Sequence, residues 1–342
     1  MCGWRPGGGD GRGPRLEHRS RLHGERNMID STRSSLVGGL DLDIEFDAPI
    51  GALTWFGIGG HAPMLVRPRS EDALATLLSR CHQTEVPVRI LGGGANLLVD
   101  DSGIEGLVIK LDHDCFTSRK YNREGEVDRA LVAAGSDLFQ LVNETARHGL
   151  DGVSQLAGVP GTLGGAIRMN AGGNFGDTGQ VIESISMLDM TGRRLELNRD
   201  ELTFDYRQSS VPNGIVCSAI LQLEPTDPVK VRNKVREIFA KKKASQPMAD
   251  NSAGCAFRNP VIDGQRVSAG QLIDEAGLKE LNVGGATVSP RHANFISTTP
   301  QATARDVMKL MTMVQTRVHE HCGASLQPEV VIWSDDPEAP RP

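Results

Sequence analysis

Aromatic residues are scarce: three Trp, two Tyr and nine Phe make up 4% of the 342 residues. Binding by this chain therefore falls more to backbone than to rings. Positive charge is not in excess either. Lys and Arg total 37 against 43 Asp and Glu, and the net charge of −6 argues against nucleic acid as the main partner. No apolar run approaches the roughly 18 residues of a membrane helix. The six cysteines, Cys2, Cys81, Cys115, Cys217, Cys255 and Cys322, include no C-x-x-C pair. That spacing speaks against a disulfide framework or a zinc site and fits a reducing, cytoplasmic setting. Residues 1–27 lack the apolar segment of a secretory signal. Their Gly- and Arg-rich composition predicts a disordered extension, with Met28 as an alternative start.

What is abundant is glycine, 39 residues, in a chain long enough for two or three domains. Helical spacing marks 71–83, with Ala73, Leu74, Leu77, Leu78 and Cys81 on one face. Strands are expected at 86–91, 106–111 and 130–135. A helix over 136–149 is expected to be capped by Ser136 and stopped by Gly149. Two strands flank a turn at Thr191-Gly192, and another covers 214–224. "PTDP" (225–228) marks a boundary, followed by a charged helix over 229–246. Val307, Leu310, Met311, Val314 and Val318 keep helical spacing, and "EVVIW" (329–333) reads as a last strand. The fold class is α+β.

Two segments concentrate the glycine. "LGGGANLLV" (91–99) follows a strand, and "GVPGTLGGAIRMNAGG" (158–173) places 6 glycines in 16 residues without helical or strand periodicity. Such segments make tight turns, or bring backbone N–H groups close to a phosphate. The dinucleotide fingerprint G-x-G-x-x-G fails in the first, because Leu97 stands at the third glycine position. No Gly-Lys-Ser/Thr occurs. Two such loops within 80 residues, each beside apolar strands, favour a nucleotide cofactor.

"TWFGIGG" (54–60), "LGGGANLL" (91–98), "GVPGTLGGAIRMNAGG" (158–173), "YRQSS" (206–210), "SAGCAFRNP" (252–260), "AGQLIDEAGLK" (269–279) and "LQPEVVIW" (326–333) occur in that order. Together they resemble the UDP-N-acetylenolpyruvoylglucosamine reductase family, from about Leu53 to Trp333. The resemblance implies an FAD-binding domain of the vanillyl-alcohol oxidase (PCMH) type over 28–225, in two subdomains split near 105. It also implies a C-terminal α+β substrate domain over 226–335, and 336–342 remain as a tail. FAD is expected to be noncovalent, with NADPH as co-substrate. The implied cofactor contacts are Thr54, Gly59, Gly60, Gly92, Gly93, Gly94, Ala95, Asn96 and Leu97 from the first two motifs. Gly158, Pro160, Gly161, Gly164, Gly165, Ala166, Asn170 and Gly172 join them from the third. An anion nest of backbone N–H groups, rather than a helix terminus, is the expected phosphate site. His61 follows the first glycine pair; some flavin oxidases of this fold bind FAD covalently through histidine, but this reductase family does not.

The implied reaction sends a hydride from NADPH to flavin N5 and on to the enolpyruvyl β-carbon. An enolate results and is protonated at the α-carbon. Arg207 matches the charge-stabilising arginine, Glu329 the catalytic glutamate, and Cys255 the position where many members carry a proton-donating serine. A thiol is a stronger acid than an alcohol and also more easily oxidised. On residue type alone, Arg207 reads as a surface arginine at a strand end, Glu329 as a solvated glutamate at a strand start and Cys255 as a small buried hydrophobe. Lys243 and Asn259, twelve before and four after Cys255, match substrate contacts. Tyr206 is a further candidate, and Gln271, Asn294 and Arg258 are weaker ones. Arg207 and Cys255 are 48 residues apart with no tyrosine between them, as in the shorter subtype that lacks a closing tyrosine loop. The competing readings are an oxidase of the same fold and a flavin- or nucleotide-sugar-binding module without turnover. Small-molecule substrates are the expected partners, with no nucleic acid, membrane or obligate protein partner.

Overall fold

Strand Leu42–Ala48 opens a four-stranded sheet in which it lies antiparallel to Ala62–Pro68, followed by Leu107–Lys110 and Val88–Leu91 in parallel. The structure is a computed structural model that describes residues 35–124, 127–336 and 339. The expected 1–27 extension and most of the 336–342 tail lie outside the described residues. The chain divides into two compact units, Met1–Leu40 and Asp41–Pro342. In the first, residues 35–37 form a helical turn. The second holds every strand among the described residues.

Helix Glu71–Gln83 forms as its spacing predicts, with Ala73, Leu74, Leu77, Leu78 and Cys81 buried. The Ser70 hydroxyl caps it by accepting from the Ala73 N–H at 3.1 Å. Strand Val88–Leu91 then runs into the first glycine loop, which ends at strand Leu97–Val99.

A second, antiparallel sheet follows, in the order Arg194–Asn198, Ile182–Asp189, Gly214–Pro225, Val127–Ala133, Arg119–Glu124. Its fourth strand starts and ends earlier than the expected 130–135. Helix Leu138–His148 packs against helix Pro228–Ser245 and ends at Gly149, in the left-handed conformation at φ 70°. Its N-cap is Asp137, whose carboxylate accepts from the Gln140 N–H, and not Ser136. Ser136 is buried and donates to the Thr117 carbonyl at 3.0 Å. Between two strands of this second sheet, Val127–Ala133 and Ile182–Asp189, the second glycine segment holds a short helix, Leu163–Met169, that its periodicity does not reveal. Its two turns bury only Leu163, Ala166 and Ile167, too few to set a pattern.

The C-terminal part starts with helix Pro228–Ser245, capped by Asp227 with proline in its first turn. A three-stranded sheet (Asn282–Val283, Ala286–Val288, Ile296–Thr298) packs with helices Ala269–Glu275 and Ala304–Cys322. Val307, Leu310, Met311, Val314 and Val318 bury the face their spacing predicts, against Phe257 and Ile273. The chain then returns: strand Val331–Trp333 pairs in parallel with Leu97–Val99. This ladder, shorter than the expected 329–333, leaves Glu329 just ahead of it, beside the first glycine loop.

Candidate active site

A cavity of about 1110 Å³ runs between the two glycine segments and the C-terminal part. That exceeds the roughly 300–1,000 Å³ of sites for single small ligands. Of the expected cofactor contacts, Gly92 through Leu97, Gly158, Pro160, Gly161, Gly165, Ala166, Asn170 and Gly172 line it. Gly164 lines an adjoining pocket of about 160 Å³ that shares Gly92, Thr162 and Gly165 with it. Thr54, Gly59 and Gly60 stand behind the loop and do not line the cavity. Thr54 is buried, the Trp55 N–H donates to the Gly94 carbonyl at 2.9 Å, and the Gly60 N–H to the Asp100 carbonyl at 2.8 Å. His61 is exposed and pairs with Asp47, away from the cavity lining.

The glycines serve two needs. A Cβ on Gly93 would stand 2.6 Å from Gly161 Cα, so there the two loops touch backbone to backbone. A Cβ on Gly165 would meet nothing closer than 3.6 Å, although Gly165 lines both cavities. Glycine at 165 keeps space that no protein atom fills, and the two connected compartments suit an elongated dinucleotide such as FAD.

Arg207 sits at the tip of the hairpin Phe204–Asp205/Gln208–Ser209, in the left-handed region at φ 55°. For a side chain of this size such a conformation costs of order 1–3 kcal/mol and persists where surrounding structure fixes it. Arg207 Nε donates to Glu329 Oε1 in an ion pair, and Glu329 is 8% exposed. Burial raises the Glu329 pKa, against the pull of Arg207 and Arg258. Burial also works against the Arg207 charge, but the attraction and hydrogen bond of Glu329 outweigh it and raise its pKa. Cys255 lines the same cavity. Its surroundings desolvate the sulfur, and with Glu329 adding its charge the thiol is pushed up to about 12. The three residues expected to carry the chemistry thus share one cavity.

Tyr206 and Asn259 also line it, and Arg266 completes a triangle with them. The Asn259 N–H donates to the Tyr206 hydroxyl at 3.2 Å, Arg266 donates to the Asn259 carbonyl at 3.2 Å, and its guanidinium lies 3.9 Å over the Tyr206 ring. Lys243 is exposed and does not line the cavity, contrary to expectation; Lys241 and Lys242 do. Burial, with repulsion from Arg207, brings Lys242 down to about 8. Gln271 does not line the cavity and bonds Glu275 at 2.8 Å. Asn294 lines it but spends its amide on both backbone groups of Phe257. Arg258 acts on Glu329 by charge alone. Arg266 and Lys242 are functional candidates that no sequence motif marks. Arg168, Arg207, Lys241, Lys242 and Arg266 line the cavity against the carboxylates of Asp177 and Glu329. This cationic lining, in a chain of net charge −6, suits anionic ligands.

The fold and cavity define a class: a flavoprotein of the α+β type, with an FAD-binding domain and a C-terminal domain that completes the site. The family described as "FAD binding domain" matches residues 62–198, and "UDP-N-acetylenolpyruvoylglucosamine reductase, C-terminal domain" matches 246–333. The UDP-N-acetylenolpyruvoylglucosamine reductase of Desulfosudis oleivorans is 38% identical, over 84% of this chain and 94% of that protein. That of Myxococcus xanthus is 39% identical, over 89% and 96%. The crystal structure of the Thermus caldophilus reductase superposes with a TM-score of 0.71 at 36% identity, covering 86% of this chain and 100% of that one. The chain belongs to the UDP-N-acetylenolpyruvoylglucosamine reductase family.

Two outcomes follow from the geometry. Gly165→Val should lower FAD retention while leaving the urea midpoint of the apoprotein nearly unchanged. Gly93→Val should lower both, by about 1–3 kcal/mol in stability. FAD titration and urea melts of the two apoproteins check this; equal destabilisation by both variants would contradict it. Because a thiol pushed up to about 12 stays protonated below that pH, iodoacetamide labelling of Cys255, followed by peptide mass mapping, should still be rising at pH 10. A plateau below pH 9 would contradict it.

Proposed function

We propose that this chain reduces UDP-N-acetylglucosamine enolpyruvate to UDP-N-acetylmuramate with NADPH, in peptidoglycan precursor synthesis and so in support of cell shape and division. The observation that carries the reading is the convergence of Arg207, Glu329 and Cys255 on one cationic cavity bounded by both glycine loops. Gly92–Leu97 and Gly158–Gly172 would hold FAD noncovalently, and the flavin would supply hydride transfer from NADPH to the enolpyruvyl double bond. We place the FAD-binding domain at 28–225 and the substrate domain at 226–335, with the cytoplasm as the site of action. Two facts fit that compartment. Cys81, Cys115, Cys217, Cys255 and Cys322 are free. Among the described residues, no helix is long and apolar enough to cross a membrane.

The residues act as follows. Negative charge developing on the α-carbon and its carboxylate is met by the Arg207 guanidinium, whose planar donors suit an enolate and a carboxylate. Glu329, with its raised pKa, holds Arg207 at the hairpin tip and provides an acidic group beside that charge. Cys255 Sγ–H delivers the proton to the α-carbon; its protonated state at neutral pH meets that need. Lys241, Lys242 and Arg266 offer cations to the diphosphate groups of the two ligands, with Tyr206 and Asn259 holding Arg266 in place.

The test is anaerobic. NADPH should bleach the flavin spectrum, and the enolpyruvyl UDP-sugar should restore it stoichiometrically. Glu329→Gln and Cys255→Ala should slow the second step by about 10²–10⁴-fold, with the first nearly untouched; Cys255→Ser should keep much of the activity. Reoxidation by oxygen but not by the sugar would favour an oxidase, and equal loss in both steps would overturn the proton-transfer roles.

A further inference from the structure

Each glycine segment carries an asparagine, Asn96 in the first and Asn170 in the second. Both line the cavity. Both stand among the expected cofactor contacts, yet each spends its side-chain amide on a catalytic element. Asn96 Nδ2 donates to the Glu329 carbonyl at 3.0 Å, and the Asn96 carbonyl accepts from the Val331 N–H at 3.1 Å. Asn170 Nδ2 donates to the Asp205 carbonyl at 2.9 Å, two residues before Arg207, while its Oδ1 accepts from the Gly179 N–H at 2.9 Å. Asn170 is 2% exposed and adopts the left-handed conformation, at φ 41°, that ends helix Leu163–Met169. Asparagine tolerates that backbone better than most residues.

The grip on Glu329 extends further. Its N–H donates to the Ala256 carbonyl at 2.8 Å, and the Ala256 N–H donates to the Asn294 carbonyl at 2.7 Å. A line of hydrogen bonds thus runs from the cofactor loop through Glu329 to the residue beside Cys255. The two members of the ion pair are therefore each tied to a different glycine loop. An amide as buried as that of Asn170 is costly to leave unpaired, so its bond resists rearrangement, and the half-buried Asn96 is held by its side-chain and backbone bonds together.

We infer that Asn96 and Asn170 are positioning residues that fix the Glu329–Arg207 pair relative to the cofactor loops, rather than ligands of the cofactor itself. Asn96 sets the carboxylate from one side, and Asn170 sets the guanidinium-bearing turn from the other. This inference rests on the proposed reductase reading.

The test uses Asn96→Ala and Asn170→Asp; the second variant keeps the shape and the left-handed backbone but, when ionised, has no amide donor. FAD affinity of each apoprotein, measured by fluorescence titration, should change less than threefold. In FAD-saturated protein, flavin reduction by NADPH should change less than threefold, and reoxidation by the enolpyruvyl UDP-sugar should slow about tenfold or more. Placed in a Glu329→Gln background, Asn96→Ala should add little further loss, since the group it positions is already disabled. A large fall in FAD affinity with normal half-reactions after saturation would overturn the inference, as would equal slowing of both half-reactions or full additivity with Glu329→Gln. Failure of the unmodified protein to show either half-reaction would instead count against the reductase reading.

Discussion

The ion pair between Arg207 and Glu329 is the constraint on which the site depends. The two residues are 122 positions apart, and both are largely withdrawn from water. Neither charge is comfortable there alone. Removing one partner of a buried pair leaves the other uncompensated, at a cost of about 3–5 kcal/mol. The pair therefore ties the hairpin after the second glycine segment to the segment that returns at the end of the chain. Arg207 reaches the pair from the two-residue turn between Asp205 and Gln208, with a left-handed backbone that a non-glycine residue keeps only where its surroundings hold it.

Much of the fold can be read as the means of bringing these two residues together. The last strand crosses back to pair with Leu97–Val99, and Glu329 stands just ahead of that ladder. The bridges of Cys255 to Phe295 and of Phe257 to Pro328 fix the Cys255 segment beside it. Asn294 closes both backbone groups of Phe257 and so holds that segment. The glycine loops approach each other without side chains between them, and the cavity is left along their open side.

Those parts of the fold with local causes are legible in the sequence. The helix over 71–83 has a complete apolar face and a serine cap, and Gly149 stops its helix as a left-handed cap. Arg207, Cys255 and Glu329 can be named from their motifs, and they do meet in one cavity. Other features depend on tertiary context. Ser136 and Asp137 both suit an N-cap, and only the buried bond of Ser136 to Thr117 decides between them. Three consecutive lysines sweep about 200° around a helix, so the run at 241–243 does not say which one faces the ligand. Arg266 carries no motif; its place follows from a short hairpin, Val261–Ile262/Gln265–Arg266, folding over Tyr206. The pairing of 331–333 with 97–99 spans most of the chain, and no local pattern marks it.

If Arg207 and Glu329 act as one unit, their contributions to the chemistry cannot be separable. A double-mutant cycle on the rate of flavin reoxidation by the enolpyruvyl UDP-sugar, using Arg207→Gln, Glu329→Gln and the double variant, puts this to the test. The double variant should fall within about threefold of the slower single variant, because residues that act as a unit are strongly non-additive. Losses that simply multiply would show that each side chain works alone, and the pair would then be a structural contact rather than the core of the site.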